Sequence, residues 1–235
     1  MVELIIDGQK VEVAEGATVL EAAGKLNIDI PTLCYHENLT PFGACRVCAV
    51  EVVVDGVSNL TTACDCPVEQ GMEVRTVSER ALEARMLAVE LLLAKCPGSE
   101  AIRSLARDMG IEEPRVELET EECILCGLCV RTCQELVGVG ALRLVDRGLN
   151  RDVKETFVEA STDKCIGCGS CAYICPTSFI KLEETGNTRT VWDRVFKLKK
   201  CQVCGNYWAP EAQLEYIRKT CNLPSDFFDV CPNCK

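Results

Sequence analysis

The sequence predicts an α+β chain whose parts are organised around cysteine rather than around one large apolar core. Three observations carry this expectation. The first 33 residues read as strand, tight turn, strand and helix; 19 of the 235 residues are cysteine; and most of those cysteines fall into short, regularly spaced groups. A content of about 8% cysteine would suit a disulfide-stapled secreted domain. Residues 1–8, however, lack the basic stretch, apolar core and small-residue cleavage site of a secretory leader. The longest apolar run, near residues 91–94, is broken by Glu90 and Lys95, well short of the roughly 18 residues a membrane helix needs. A cytoplasmic chain without membrane insertion is therefore expected. Thiols in that compartment bind metal more often than they pair.

The formal net charge is −11, from 25 Lys and Arg against 36 Asp and Glu. One half carries all of it: residues 1–120 hold 21 acidic and 10 basic side chains, and residues 121–235 hold 15 of each. Neither half has the basic excess of a nucleic-acid binder. The acidic half reads as a well-solvated surface or as a docking surface for a basic protein partner.

Residues 2–6 form a short apolar run, Asp7 and Gly8 give a strong two-residue hairpin signal, and residues 10–13 alternate at strand period. Thr18 and Glu21 make a capping box for a helix running to about Leu26, with Pro31 preventing any continuation. A hairpin followed by a helix opens a β-grasp domain. Residues 51–54 and 60–63, joined through Asp55 and Gly56, supply a second hairpin, and residues 73–77 would close the sheet. Residues 78–95 place Leu82, Met86, Val89 and Leu93 at steps of three and four, an amphipathic helix that Pro97 and Gly98 end. Ser99 can cap a shorter helix to about Met109. Residues 182–189 read as a linker into a last cysteine-bearing segment.

Two groups share one pattern. Cys123, Cys126, Cys129 and Cys133, and again Cys165, Cys168, Cys171 and Cys175, stand as C-x2-C-x2-C-x3-C, the bacterial run for two [4Fe–4S] clusters. Three closely spaced thiolates wrap one face of a cube, so the fourth iron takes its ligand from another direction. The fourth cysteine of each run then serves the other cluster: Cys123, Cys126, Cys129 and Cys175 for the first, Cys165, Cys168, Cys171 and Cys133 for the second. Gly127, Gly167 and Gly169 let the backbone pass close to the sulfides. Pro176 follows the second run, whereas Gln134 follows the first, and residues 134–164 form a longer insertion than a minimal ferredoxin has.

The N-terminal group, Cys34, Cys45, Cys48 and Cys64 with Cys66 close by, lacks the plant-type spacing. In its setting of Thr62, Ala63, Pro67, Gly71 and Met72 it resembles the β-grasp [2Fe–2S] domain that opens the large peripheral subunit of respiratory complex I. The same domain occurs in iron-only hydrogenases and in the diaphorase small subunit of NAD-linked soluble hydrogenases. The resemblance implies Cys34, Cys45, Cys48 and Cys64 as the [2Fe–2S] ligands and Cys66 as a bystander. Over roughly residues 1–180 the chain is similar to the diaphorase-type subunit, in the same order of parts. One departure is that the histidine-ligated cluster often found after the long helix is reduced to Cys96, read as structural. The single histidine, His36, reads as a neighbour of Cys34 and not as a ligand.

The last group, Cys201, Cys204, Cys231 and Cys234, fits a tetrahedral four-cysteine zinc ribbon. A third [4Fe–4S] cluster using Cys221 is the rival, and Tyr207, Trp208, Phe227 and Phe228 read as the module's small core. The chain thus divides into a β-grasp [2Fe–2S] domain (1–78), a helical connecting segment (79–118), a ferredoxin-like 2×[4Fe–4S] domain (119–187) and a small C-terminal Cys-rich metal-binding module (188–235).

No nucleotide fingerprint follows a predicted strand, so no catalytic site of the chain's own is expected. The resemblance implies an electron-wire subunit of a cytosolic NAD(P)-linked complex. Its partners would be a flavin- and NAD-binding diaphorase subunit and the catalytic subunits of a hydrogenase, with ferredoxin as a further partner if the complex bifurcates electrons. The alternatives are a freestanding ferredoxin-type shuttle, or the same subunit serving a formate dehydrogenase or an aldehyde oxidoreductase.

Overall fold

Period-two alternation sets the first hairpin. In β1 (Val2–Ile6) Leu4 and Ile6 are buried, and in β2 (Gln9–Val13) Val11 and Val13 are. Asp7 and Gly8 both take left-handed φ, 47° and 81°, the turn geometry that matches strand twist. α1 (Val19–Lys25) begins at a complete capping box: the Glu21 N–H donates to the Thr18 hydroxyl at 3.2 Å, and the Thr18 N–H donates to the Glu21 carboxylate at 2.7 Å. β3 (Ala49–Val54) and β4 (Val57–Thr62) form the second hairpin. β5 (Glu73–Arg75) lies between β1 and β3, parallel to the first and antiparallel to the second. The sheet order is β2-β1-β5-β3-β4, and Val19, Ala22 and Ala23 of α1 share one core with Leu4, Ile6, Val13, Val50 and Val74. This is the expected β-grasp arrangement.

The structure is a computed structural model that describes residues 1–118, 120, 122–144, 158–160 and 164–235. It falls into two compact units, Met1–Gly127 and Leu128–Lys235. Part of the insertion at 134–164 lies outside the described residues.

α2 (Glu79–Lys95) is capped by the Ser78 hydroxyl, which accepts from the Ala81 N–H at 3.3 Å, and α3 (Glu100–Asp108) starts after Ser99. The inward seam of α2 corrects the sequence expectation. Ala81, Arg85, Val89 and Leu93 are buried, while Leu82 and Met86 are 43% and 42% exposed. The helix packs on β3, and the Arg85 Nε–H donates to the Ala49 carbonyl beneath it at 2.7 Å. A buried arginine at an inward position disguises the true i, i+4 seam.

The second unit holds α4 (Leu128–Arg131), a π-helical turn at Thr132–Leu136, the strand pair β6 (Leu142–Leu144) and β7 (Val158–Ala160), and α5 (Ser170–Tyr173). There follow β8 (Leu182–Thr185), β9 (Thr188–Val191), β10 (Arg194–Lys200), β11 (Tyr207–Pro210) and α6 (Glu211–Thr220), the strands ordered β11-β10-β9-β8. Residues 182–189, expected as a linker, are most of a hairpin turning at Gly186 and Asn187. The polar residues misled because three of the four β8 residues are exposed. Among the described residues no helix is long and apolar enough to cross a membrane.

Ile6 is fully buried, whereas Val57 is 61% exposed. Ile6→Ala should therefore cost about 2–5 kcal/mol, and Val57→Ala should stay within about 0.5 kcal/mol of the parent. Denaturant midpoints of the two variants check this; equal shifts would contradict the placement of the core.

Candidate metal centres

In the first unit the long loop between α1 and β3 and the turn after β4 converge. They bring together Cys34, Cys45, Cys48 and Cys64, all buried. The Cys34 sulfur lies within hydrogen-bonding reach of the Cys45 and Cys64 sulfurs, and the Cys48 sulfur within reach of that of Cys64. Backbone N–H groups of Ala44 and Cys45 point at Cys34, and those of Ala63 and Cys64 at Cys48. Hydrogen bonding among these sulfurs pulls Cys34 and Cys48 below the ordinary thiol range despite burial, and raises Cys45 and Cys64.

The turn carrying Cys64 is tied to α1. The Leu20 N–H donates to the Ala63 carbonyl and the Val19 N–H to the Cys66 carbonyl, each at 2.9 Å, so donors left over at a helix start hold the cluster loop. Cys66 contributes that carbonyl; its half-buried thiol is raised by burial. His36 is half-buried, and its Nδ1 accepts from the Asn38 N–H at 3.2 Å within a local turn. Cys96 is buried at the C-terminal cap of α2. Sequence reasoning missed Arg85, whose guanidinium hangs from the carbonyl that follows Cys48. The signal was a lone cation in an otherwise small or apolar seam.

In the second unit Cys133, Cys165, Cys168 and Cys171 line one cavity, together with Val139, Leu142 and Trp192. Cys133 sits in the π-helical turn, and its Sγ accepts from the Ala141 N–H at 3.2 Å. Gly167 and Gly169 have φ of 69° and 82°. A Cβ on Gly167 would collide with the Phe196 ring, and one on Gly169 with Leu182. The Arg189 Nη1 donates to the carbonyls of Gly167 (3.2 Å) and Cys168 (3.0 Å), while its Nε pairs with Glu184. Burial pushes Cys165 up and takes Cys171 to about 11.

Of the first run, Cys123 and Cys126 lie in the first unit, and Cys129 with Cys175 in the second. The Leu125 N–H donates to Cys123 Sγ at 3.4 Å. Burial would raise Cys175, but the Thr177 hydroxyl and the N–H groups of Ile180, Thr177 and Phe179 together bring it down. Cys129 and Cys175 pack with Cys165 and Cys171 against Ile180, Val191 and Phe196.

The tail brings the sulfurs of Cys201, Cys204, Cys231 and Cys234 within 4.8 Å of one another. The N–H groups of Cys231 and Val203 both donate to Cys201 Sγ at 3.4 Å and help lower it to about 6, while the Cys231 and Cys204 sulfurs raise Cys234 to about 12. Cys221 is exposed at the end of α6, outside this set. The Trp208 and Phe228 rings meet at 6.1 Å, and Phe227 stands edge-on to Phe228 at 5.0 Å. One motif recurs in all four groups. The N–H two residues after the first cysteine of a C-x2-C pair donates to that cysteine's sulfur: Val47 to Cys45, Leu125 to Cys123, Gly167 to Cys165 and Val203 to Cys201. Soft thiolates held this way suit iron–sulfur clusters or zinc.

Comparison with known proteins agrees with that chemistry. Residues 1–79 match a 2Fe-2S iron-sulfur cluster binding domain, and residues 115–176 and 164–207 match 4Fe-4S dicluster domains. The NADPH-Fe(3+) oxidoreductase subunit alpha of Geobacter sulfurreducens is 38% identical over 63% of this chain and 20% of its own length. An NADH-quinone oxidoreductase subunit of Rhizobium meliloti is 34% identical over 65% of this chain and 21% of its own. The NADP-reducing hydrogenase subunit HndD of Solidesulfovibrio fructosivorans is 36% identical over 63% of this chain and 30% of its own. The chain thus spans less than a third of these curated relatives. A chain from the crystal structure of an NAD+-reducing [NiFe]-hydrogenase in the H2-reduced state superposes with a TM-score of 0.56 at 29% identity, over 63% of this chain and 71% of that one.

The glycine cradle gives a stability test. Gly186 has φ of 60° with open space around it, whereas Gly167 combines left-handed φ with the Phe196 ring. Gly186→Ala should cost the left-handed penalty alone, about 1–2 kcal/mol. Gly167→Ala should add an overpacking cost of about 1–3 kcal/mol. Thermal unfolding under anaerobic conditions measures both; equal losses would mean that Phe196 yields freely.

Proposed function

We propose that this chain, an electron-transfer iron–sulfur protein homologous to subunits of NAD(P)-linked hydrogenases and of NADH-quinone oxidoreductase, is a wire subunit of a cytoplasmic multi-subunit oxidoreductase, with a hydrogenase as the favoured terminal enzyme. It would pass electrons between a flavin- and NAD-binding subunit and a separate catalytic subunit. The observation that carries this reading is the set of buried or half-buried thiol groups with N–H donors on their sulfurs, which fits one-electron carriers.

Cys34, Cys45, Cys48 and Cys64 would hold one [2Fe–2S] cluster. Cys123, Cys126, Cys129 and Cys175 would hold one [4Fe–4S] cluster and Cys165, Cys168, Cys171 and Cys133 the other. The shared cavity of Cys133 with Cys165, Cys168 and Cys171 supports the crossed assignment. When bound, these clusters accept and release single electrons; the chain's own groups bind them, exclude water and direct N–H dipoles at sulfur. For the tail, zinc is favoured over a third cluster. Tetrahedral Zn–S bonds place sulfurs about 3.8 Å apart, and Cys204 and Cys231 stand at 3.9 Å. A four-iron cube spreads its thiolates over separate corners.

Anaerobically purified protein should contain about 10 iron atoms and one zinc per chain; about 14 iron and no zinc would favour the third cluster. Cys64→Ala should abolish the two-iron spectrum, and Cys66→Ala should leave it. Cys133→Ala should damage the cluster served by Cys165, Cys168 and Cys171. The wire reading also requires co-purification with flavin-containing subunits, in part through the acidic N-terminal half and so weakening as salt rises. Isolation from its native source as a lone, fully loaded monomer would favour the shuttle instead.

A further inference from the structure

The turn joining β9 to β10 carries unusual residues for its shape. Val191 pairs with Arg194, leaving Trp192 and Asp193 as the two central residues, with φ of 54° and 55°. Such a turn favours Asn-Gly or Asp-Gly. A tryptophan in left-handed backbone is strained, and strain of this kind persists where the surroundings over-determine it.

The surroundings here are the second four-cysteine cavity. The Trp192 Nε1–H donates to Cys171 Sγ at 3.4 Å. Its ring meets Phe179 edge-on at 6.1 Å and helps line the cavity with Cys133, Cys165 and Cys168. The hairpin that presents the indole is fastened to the same cluster loop: Arg189, 8% exposed, bridges from β9 to the Gly167 and Cys168 carbonyls. Phe196 of β10 and Leu182 of β8 occupy the spaces that Gly167 and Gly169 leave open. Fixed backbone, fixed hairpin and a strained turn together aim one neutral N–H at one sulfur.

We propose that Trp192 is a positioning residue that raises the reduction potential of the four-iron cluster held by Cys133, Cys165, Cys168 and Cys171, by donating its indole N–H to the Cys171 thiolate. The proposal rests on the cluster occupancy given under the proposed function. One-electron reduction adds one negative charge to the cluster and its thiolates; the electron comes from a low-potential one-electron donor, dithionite in a titration, and no bond or proton is exchanged. An N–H dipole in a water-poor site stabilises the more negative state more strongly, so it favours reduction. Without it the same cluster becomes harder to reduce.

The test is an anaerobic redox titration of the full-length protein, followed by electron paramagnetic resonance, with iron content measured in parallel. Trp192→Phe keeps the ring and removes the donor. It should retain the parent's iron and shift one four-iron signal to more negative potential, leaving the other four-iron and the two-iron signals in place. Should Trp192→Phe lose iron, uniform 5-fluorotryptophan labelling gives the second measurement. It strengthens the N–H donor at nearly constant volume, and the same signal should move to more positive potential; Trp208→Phe in the labelled protein removes the other indole as a cause. Full iron with unmoved midpoints in the phenylalanine variant, or no shift on fluorination, would overturn the proposal. A parent protein showing no second four-iron signal would instead overturn the occupancy beneath it, a distinguishable result.

Discussion

Sulfurs gathered in fours repel one another once ionised, and everything else in this chain is arranged to make that gathering tolerable. The first compensation is local. In each group the residue two positions after the first cysteine of a C-x2-C pair turns its N–H back onto that sulfur, and this needs unusual backbone in or beside the turn. Arg46 (60°), Leu125 (54°), Gly167 (69°) and Gly205 (75°) supply left-handed φ there. Two of these are non-glycine residues, so the geometry is held against a steric cost. A bound metal centre would complete the compensation, and binding free energy at such sites is also folding free energy.

The two units meet this demand with different resources. The first has a continuous apolar core of sheet and helix, and the cluster loop hangs from it through the N-terminal donors of α1. In the second unit one cluster of buried apolar residues, Ile180, Val191 and Phe196, packs directly against cysteines, among them Cys129, Cys165, Cys171 and Cys175. The tail adds a brace: Tyr216 of α6 donates its hydroxyl hydrogen to the Val137 carbonyl at 3.2 Å, just after the turn that carries Cys133. A module with its own four-sulfur site is thereby fastened to the segment lining the neighbouring cavity.

Legibility in the sequence followed the range of the physics involved. Asp7 with Gly8, and Thr18 with Glu21, are local signals whose energetics close within four residues, and the hairpin and capped helix stand where they predict. The C-x2-C spacings are equally local. What stayed hidden depends on distant partners. The inward seam of α2 was obscured because Arg85 reads as a surface residue until the Ala49 carbonyl is beneath it. Residues 182–189 read as a linker because Glu183 and Glu184 are exposed and Arg189 finds its carbonyl partners more than 20 residues upstream. Trp192 carried no sequence signal beyond being a tryptophan in a turn.

Arg85 and Trp192 show two ways of favouring negative sulfur. Arg85 is 5% exposed, and among the described residues its Nη2 has no hydrogen-bond partner. Burial pulls its pKa down, and the charge on nearby Cys48 opposes that. A buried guanidinium is costly alone, as is a buried thiolate, and each reduces the other's penalty. A charge acts over a longer range than a dipole, so Arg85 reaches Cys48 without touching it, whereas the Trp192 N–H bears chiefly on the one sulfur it touches. Both are fixed before any electron arrives, one by a 17-residue helix and one by a strained hairpin. For a carrier that must change charge without moving atoms, such fixed partners keep reorganisation small. Long, free side chains at the surface would have to be reordered with every electron.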